Sequence, residues 1–275
     1  MRKPKAANMA IDGKRIKTWT DLFGSYRHAV TKTTIESWLD QFDDEDRDLA
    51  ARVLDAVEYY GSERIAACFR DGLKSLHGWN ANPGKRAGRW RFVAFSGSTG
   101  ESGDAMLAQF RLANNLGGKP NDNLFIHRSE LVSERLTSED TVVMVDDLTA
   151  TGNQVCEVWA AHFAELVAGV GRVYLMVIVA GSGARKQIRD NTDLELIATR
   201  NLEGRDSFFS AHCGHFTAAE KERLLRYAKI ADAERPRGYG ECGYLLVFQH
   251  RCPNNSVPIL HESHSKWEGL FLRHD

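Results

Sequence analysis

The chain has 275 residues, 43% of them hydrophobic and 27% charged, enough to bury a substantial core as one large domain or a domain with an appended cap. Its formal net charge of −1 gives no electrostatic reason to expect nucleic acid or an anionic membrane surface as the direct ligand. No apolar run approaches the roughly 20 residues of a membrane helix, residues 1–17 lack the apolar centre of a secretory signal, and the five cysteines show no regular spacing, so the expectation is a cytoplasmic protein without a disulfide framework.

In chain order, residues 1–17 carry Arg2, Lys3, Lys5, Lys14, Arg15 and Lys17 and read as a flexible, solvated basic arm. Residues 18–88 read as a helical extension and linker, all-helical and without a strand over residues 18–78. Ile35, Trp38, Leu39 and Phe42 follow helical spacing behind a cap at Thr33 or Thr34. The acidic run Asp43–Asp46 suits the solvated first turn of a second helix, whose dipole it complements. Ser62 caps a third helix that closes before Gly78, and the Gly-, Pro- and Asn-rich stretch from Asn80 to Gly88 follows as a linker.

From residue 89 the pattern becomes that of an α/β core with a C-terminal segment, residues 89–275. Trp90–Phe95 reads as a strand that runs into the small-residue loop Ser96–Gly103, and a helix through Met106, Leu107 and Phe110 follows. Such a loop lets backbone amides approach an anion closely, which makes Ser96, Gly97, Ser98, Thr99 and Gly100 candidate binding residues. Leu124–Ile126 reads as a short strand, ending in His127 and Arg128. The segment 114–140 offers as cations only Lys119, Arg128 and Arg135 besides its polar residues, and Arg128 is the best placed to touch an anion.

The most informative stretch is Thr141–Asn153. Val142, Val143, Met144 and Val145 form a run buried on both faces, as in a parallel sheet. Asp146 and Asp147 then fall in the crevice beyond the strand end, where open α/β sheets bind ligands. Leu148, Thr149, Ala150, Thr151, Gly152 and Asn153 supply hydroxyls, amides and a glycine before a helix running from Val155 to Val167, an arrangement that suits a phosphate. Further strands at Val173–Val179 and Leu194–Ala198 alternate with a helix that starts after Gly181–Gly183, and Thr217 caps an amphipathic helix through Leu224, Tyr227, Ala228 and Ala231. The fold class expected is α/β, a mostly parallel sheet with flanking helices, a helical N-terminal extension and a C-terminal cap segment. His212, Cys213, His215, His261 and His264 lack the spacing of a zinc site, and no metal site is expected there.

The strand, double acid and Thr-Ala-Thr-Gly turn of residues 141–153 resemble the ribose-phosphate signature of the phosphoribosyltransferases. The segment Gly238-Tyr239-Gly240, its following strand and Pro253-Asn254-Asn255-Ser256-Val257-Pro258-Ile259 resemble the closing segment of a phosphoribosyltransferase-like family of bacterial conflict and antiphage systems, with Ser256 and Val257 in place of Thr and Leu. The resemblance implies a phosphoribosyltransferase-like fold and a site for phosphoribosyl pyrophosphate carried with Mg²⁺. In it Asp146 and Asp147 hold the ribose hydroxyls, the turn from Leu148 to Asn153 cradles the 5′-phosphate and the Ser96–Gly103 loop receives the pyrophosphate. It also implies protein partners encoded in a defence operon. Two functions remain open: phosphoribosyl transfer with pyrophosphate release, and a sensor or effector module that binds a ribose phosphate or nucleotide without turnover. A phosphatase or receiver domain fits less well, because the Thr-Ala-Thr-Gly turn directly after the acids is not its arrangement.

Overall fold

The computed structural model describes residues 11–97 and 102–273, which cluster into two compact units. Of the described residues, those of 11–62 and 204–273 form one and those of 63–203 the other. Residues 204–273 therefore share a core with the N-terminal helices, a partition that does not follow the linear division at residue 88.

In the first unit, helix α1 (Gly13–Phe23) starts at the Asp12 cap. Here the expectation of a solvated arm through residue 17 is corrected: Arg15 is 9% exposed and its guanidinium meets Asp48 and Asp55, because Ile16 and Trp19 draw that face of α1 into the core. Helix α2 (Lys32–Leu39) is capped by Thr31, which exchanges hydrogen bonds with Thr34, so the cap lies upstream of the two threonines expected. Helix α3 (Arg47–Asp55) follows the acidic run, but Asp46 makes no cap and no solvated turn. It is fully buried and accepts from Tyr227 Oη at 2.8 Å and from Arg226, and it pairs with Arg223.

Strand β1 (Glu58–Tyr60) is another correction to the all-helical reading of residues 18–78. Three residues carry little local propensity; pairing Glu58 to Leu246, Tyr59 to Val247 and Tyr60 to Phe248 makes them a strand.

Helix α4 (Ser62–Ser75) carries the chain from the first unit into the second. There β2 (Trp90–Ala94), helix α5 (Ser102–Ala113), the single turn α6 (Leu131–Glu134), β3 (Thr141–Val145), β4 (Leu148–Thr149), helix α7 (Asn153–His162), β5 (Arg172–Ala180), helix α8 (Ala184–Asn191) and β6 (Glu195–Asn201) alternate as expected for an α/β core. The order is β2-β3-β5-β6, every pair parallel, with the short β4 continuing beside β5 where β3 leaves it. Because side chains alternate along a strand, the continuous apolar runs feed both faces. Val93, Val142, Met144, Leu175 and Val177 pack with Val155, Trp159 and Phe163 of the α7 region and Ile188 of α8. Phe92 goes to the other face, where Phe110 of α5 lies 5.0 Å away, with Phe69 of α4 behind it.

Residues 119–126 differ from expectation. A 3₁₀ helix covers Lys119–Leu124, and what remains of the short strand is a bridge between Phe125 and Phe92, with Ile126 N donating to Phe92 O at 3.2 Å. Stacking of Phe125 on Phe92, not extended pairing, supplies the apolar signal read there as a strand. Helix α7 also ends at His162, short of the Val167 expected.

In the first unit again, helix α9 (Ala218–Ala231) has Thr217 and Glu220 as a capping box. Strand β7 (Leu246–Phe248) partners β1. Trp38 and Trp267 both donate their indole N–H to Ile259 O, at 2.8 and 3.1 Å, fixing the closing segment into the helical core. The Pro253–Ile259 turn is held by Tyr239: Asn255 Nδ2 donates to Tyr239 O at 3.0 Å and Tyr239 N to Asn254 O at 2.7 Å. All five cysteines are free thiols.

Candidate functional site

The site begins where β3 leaves the sheet. The hydrogen-bond ladder to β5 does not stop at Val145: Asp146 N donates to Met176 O at 3.0 Å, and the amides of Ile178 and Val179 donate to Asp147 O at 3.0 and 3.1 Å. Register then resumes with Leu148 opposite Val179 and Thr149 opposite Ala180. Both acids therefore sit on backbone held from either end, which limits how far their side chains can wander.

Asp147 is 2% exposed and Asp146 partly exposed. Asp146 Oδ1 accepts the amide of Asp147 at 2.8 Å, folding the first carboxylate over the second residue. Ser102, the first residue of α5, reaches both: its Oγ lies 2.7 Å from Asp146 Oδ1 and 3.1 Å from Asp147 Oδ1. Burial, and then the charge of Asp147, push the Asp146 carboxyl well above the ordinary carboxylate range, while the Ser102 hydroxyl and the Asp147 amide oppose that shift. The electrostatic character of the pair is thus that of a carboxylate site short of positive charge, suited to hydroxyl donors.

Ser102 reaches the acids from a helix start that lies close against the end of β2. A Cβ added at Gly103 would lie 2.5 Å from Phe95 O, so only glycine allows α5 to start there. Ser102 was not singled out among the binding residues expected, although it lies within the small-residue loop; a serine opening a helix carries no local mark of contact with acids far along the chain. Ser96 and Gly97 are the described part of that loop, and Ser98, Thr99 and Gly100 lie outside the described residues.

Beyond the acids, the turn closes on α7 through Gly152, at φ 85° and ψ −13°. Thr149 is buried, its carbonyl accepting from Gly181 N at 2.8 Å, and Thr151 Oγ1 accepts from Asn153 N at 3.3 Å. Ala150, Thr151 and Asn153 stay at least partly exposed at the start of the helix, where unpaired amides and the dipole favour an anion. The structure thus brings together Asp146, Asp147, the turn from Leu148 to Asn153 and the end of the loop after β2.

Arg128 reaches the start of the loop after β2. Its Nη1 donates to Ser96 O at 2.8 Å and its guanidinium lies over the Phe163 ring, 5.6 Å from the centroid, while Phe163 stacks on Phe95. It braces the start of the small-residue loop and does so from a partly buried position. Among the described residues no group of three or more His, Cys, Asp or Glu could hold a metal ion. No helix of the described residues is long and apolar enough to cross a membrane.

A family model described as PRTase-CE matches residues 35–273, a span that takes in the double-acid signature and the Pro253–Ile259 turn together. No curated protein matches the chain.

Proposed function

The chain belongs to the PRTase-CE family, a phosphoribosyltransferase-type family, and on that premise we propose that Asp146, Asp147 and the Leu148–Asn153 turn bind phosphoribosyl pyrophosphate or a related ribose phosphate and transfer its phosphoribosyl group with release of pyrophosphate, in a bacterial antiphage defence system. The observation that carries this reading is the meeting, at Ser102, of the loop after β2 and the acid pair after β3. A ribose that carries a phosphate on one side and a pyrophosphate on the other needs a polar patch of this kind between two anion-binding backbones.

In the transfer, the bond from ribose C1 to the pyrophosphate oxygen breaks with its electron pair leaving on pyrophosphate, a nucleophile bonds to C1, and the nucleophile's proton goes to solvent or base. Positive charge builds on the ribose during that exchange. Asp146 and Asp147 accept the ribose hydroxyls and hold negative potential beside it. The amides of the turn and the helix N-terminus of α7 hold the phosphate, and the loop beginning at Ser96 faces the leaving group. Mg²⁺, carried on the pyrophosphate, would supply charge neutralisation of the leaving oxygens.

A sensor that binds without turnover is the second reading, favoured by the engagement of Arg128 with Ser96 O, which takes up one of the few cations of residues 114–140. Calorimetric titration of phosphoribosyl pyrophosphate with Mg²⁺ separates the two when pyrophosphate release is followed in the same samples. Binding by the wild type, lost in Asp146→Asn/Asp147→Asn, is expected; release of pyrophosphate on addition of an acceptor marks the transferase, and binding without release the sensor. A folded wild type that does not bind would remove both. Phage plating on cells carrying the operon with and without the double substitution tests the defence role.

A further inference from the structure

Ser102 has one hydroxyl proton and two carboxylate oxygens within hydrogen-bond distance, Asp146 Oδ1 at 2.7 Å and Asp147 Oδ1 at 3.1 Å. A hydroxyl is a single donor with two acceptor lone pairs. Both contacts are full hydrogen bonds only if Ser102 donates to one acid while the other acid, itself protonated, donates to Ser102; otherwise one proton is shared between two anions. Ser102 is 9% exposed and sits on a helix start that Gly103 brings against Phe95 O, so its Cα is held close to both acids.

Building on the ribose-phosphate reading above, we infer that Ser102 is a positioning residue that holds the Asp146–Asp147 pair around one retained proton and hands that pair to the ribose hydroxyls when ligand binds. A ribose brings donors of its own. Once these reach the carboxylates the retained proton has no place, and it leaves. Binding therefore takes up ligand and releases a proton, and affinity rises with pH. Among the described residues, Asp147 from the same strand end and Ser102 from α5 face Asp146. Burial and the Asp147 charge favour the proton-bearing form, and the Ser102 donor opposes them, so removing the hydroxyl moves the pH dependence further toward alkali.

The test is calorimetric titration of phosphoribosyl pyrophosphate with Mg²⁺, and separately of ribose 5-phosphate, into wild type, Ser102→Ala and Ser102→Thr between about pH 6 and pH 9, with circular dichroism to confirm folding. The wild type is expected to bind more tightly as pH rises and to release a proton, read from titrations in buffers of different ionisation enthalpy. Ser102→Ala is expected to lose about tenfold in affinity near neutrality, the worth of one hydrogen bond to a charged group. It should regain part of that at the alkaline end, with its pH midpoint displaced upward, and Ser102→Thr, which keeps the hydroxyl, should track the wild type. A folded Ser102→Ala that binds as the wild type does overturns the inference and leaves the ribose-phosphate reading standing. So does a uniform loss of affinity with an unmoved pH profile, which would mark lost packing. A wild type that binds neither ligand at any pH overturns the reading itself and the inference with it.

Discussion

The two ends of strand β3 each carry buried acid, and they are built for opposite purposes. At the entry, Asp140 is 4% exposed and receives Arg89 N at 2.7 Å, Arg89 Nη2 at 2.7 Å, Thr137 N at 2.8 Å and Thr137 Oγ1 at 3.1 Å. Burial alone would raise its carboxyl, but Arg89 and Thr137 more than offset this and hold it well below the usual carboxylate range. At the exit, Asp146 is pushed the other way by burial and by Asp147. Six residues apart in number, Asp140 is satisfied by its donors and kept ionised, while Asp146 is pushed toward its protonated form. The first secures the strand's amino end, and the second stands at its carboxyl end, where an open α/β sheet leaves its crevice.

Breaking the satisfied end should have the largest effect on stability. Asp140→Ala leaves the Arg89 guanidinium and the Thr137 amide without their acceptor, which costs about 2–3 kcal/mol given that Arg89 is 43% exposed and partly recovers water. At about 2–4 °C per kcal/mol the melting temperature falls by roughly 5–10 °C. Because the native carboxyl is depressed, its contribution is present above the ordinary unfolded-state value near 3.9 and is lost as pH falls through the native one. The wild type and variant melts should therefore converge in strong acid. Equal melting temperatures at neutral pH would show that Asp140 holds nothing together.

What could be read from sequence divides along the same line between local and distant causes. The β3 run, the double acid and the Gly152 turn are contiguous, and their chemistry is written in residue order from Thr141 to Asn153. The central parallel sheet was legible for the same reason, because Val142–Val145 and Val173–Val179, buried on both faces, are apolar at every position. Strand β1 was not legible, since Glu58-Tyr59-Tyr60 has no pattern of its own and its partner is Leu246–Phe248. Asp46 read as a solvated helix start, and only α9 reveals why it is buried: Arg223, Arg226 and Tyr227 arrive from the far side of the chain to receive it. Ser102 belongs to this second class. A side chain whose meaning lies in a contact with distant residues leaves no local trace, and the Arg128–Ser96 contact is of the same kind.

The turn that follows the acids gives a smaller effect. Gly152 has φ 85°, and an added Cβ would lie 3.0 Å from Gln187 Cβ and 3.1 Å from Ala184 O. Gly152→Ala is expected to cost about 1–2 kcal/mol, from left-handed backbone strain together with displacement of α8. Thermal melts should fall by roughly 2–6 °C, and ribose-phosphate affinity should fall with them, because the amides of the turn start from this residue. Affinity preserved in a destabilised variant would detach the turn from the ligand site; an unchanged melt would refute the strain.

The exit of β3 offers the smallest change and the one of opposite sign. Asp146 keeps a raised carboxyl in the native chain, so its contribution to stability is fully present below the unfolded-state value and is lost as pH rises through the native one. Asparagine does not titrate and retains an oxygen that can accept from Ser102 and from the Asp147 amide. Asp146→Asn should therefore match the wild type in mild acid and overtake it as pH rises, by about 1 kcal/mol or roughly 2–4 °C near pH 8, the range typical of a stabilising change at a functional site. The same substitution should weaken ribose-phosphate binding, since the amide offers one acceptor where the carboxylate offers two. Melts of both proteins across pH, without ligand, decide the matter. A variant less stable than the wild type at every pH would mean that Asp146 is held as firmly as Asp140, and the contrast between the two ends of the strand would fail.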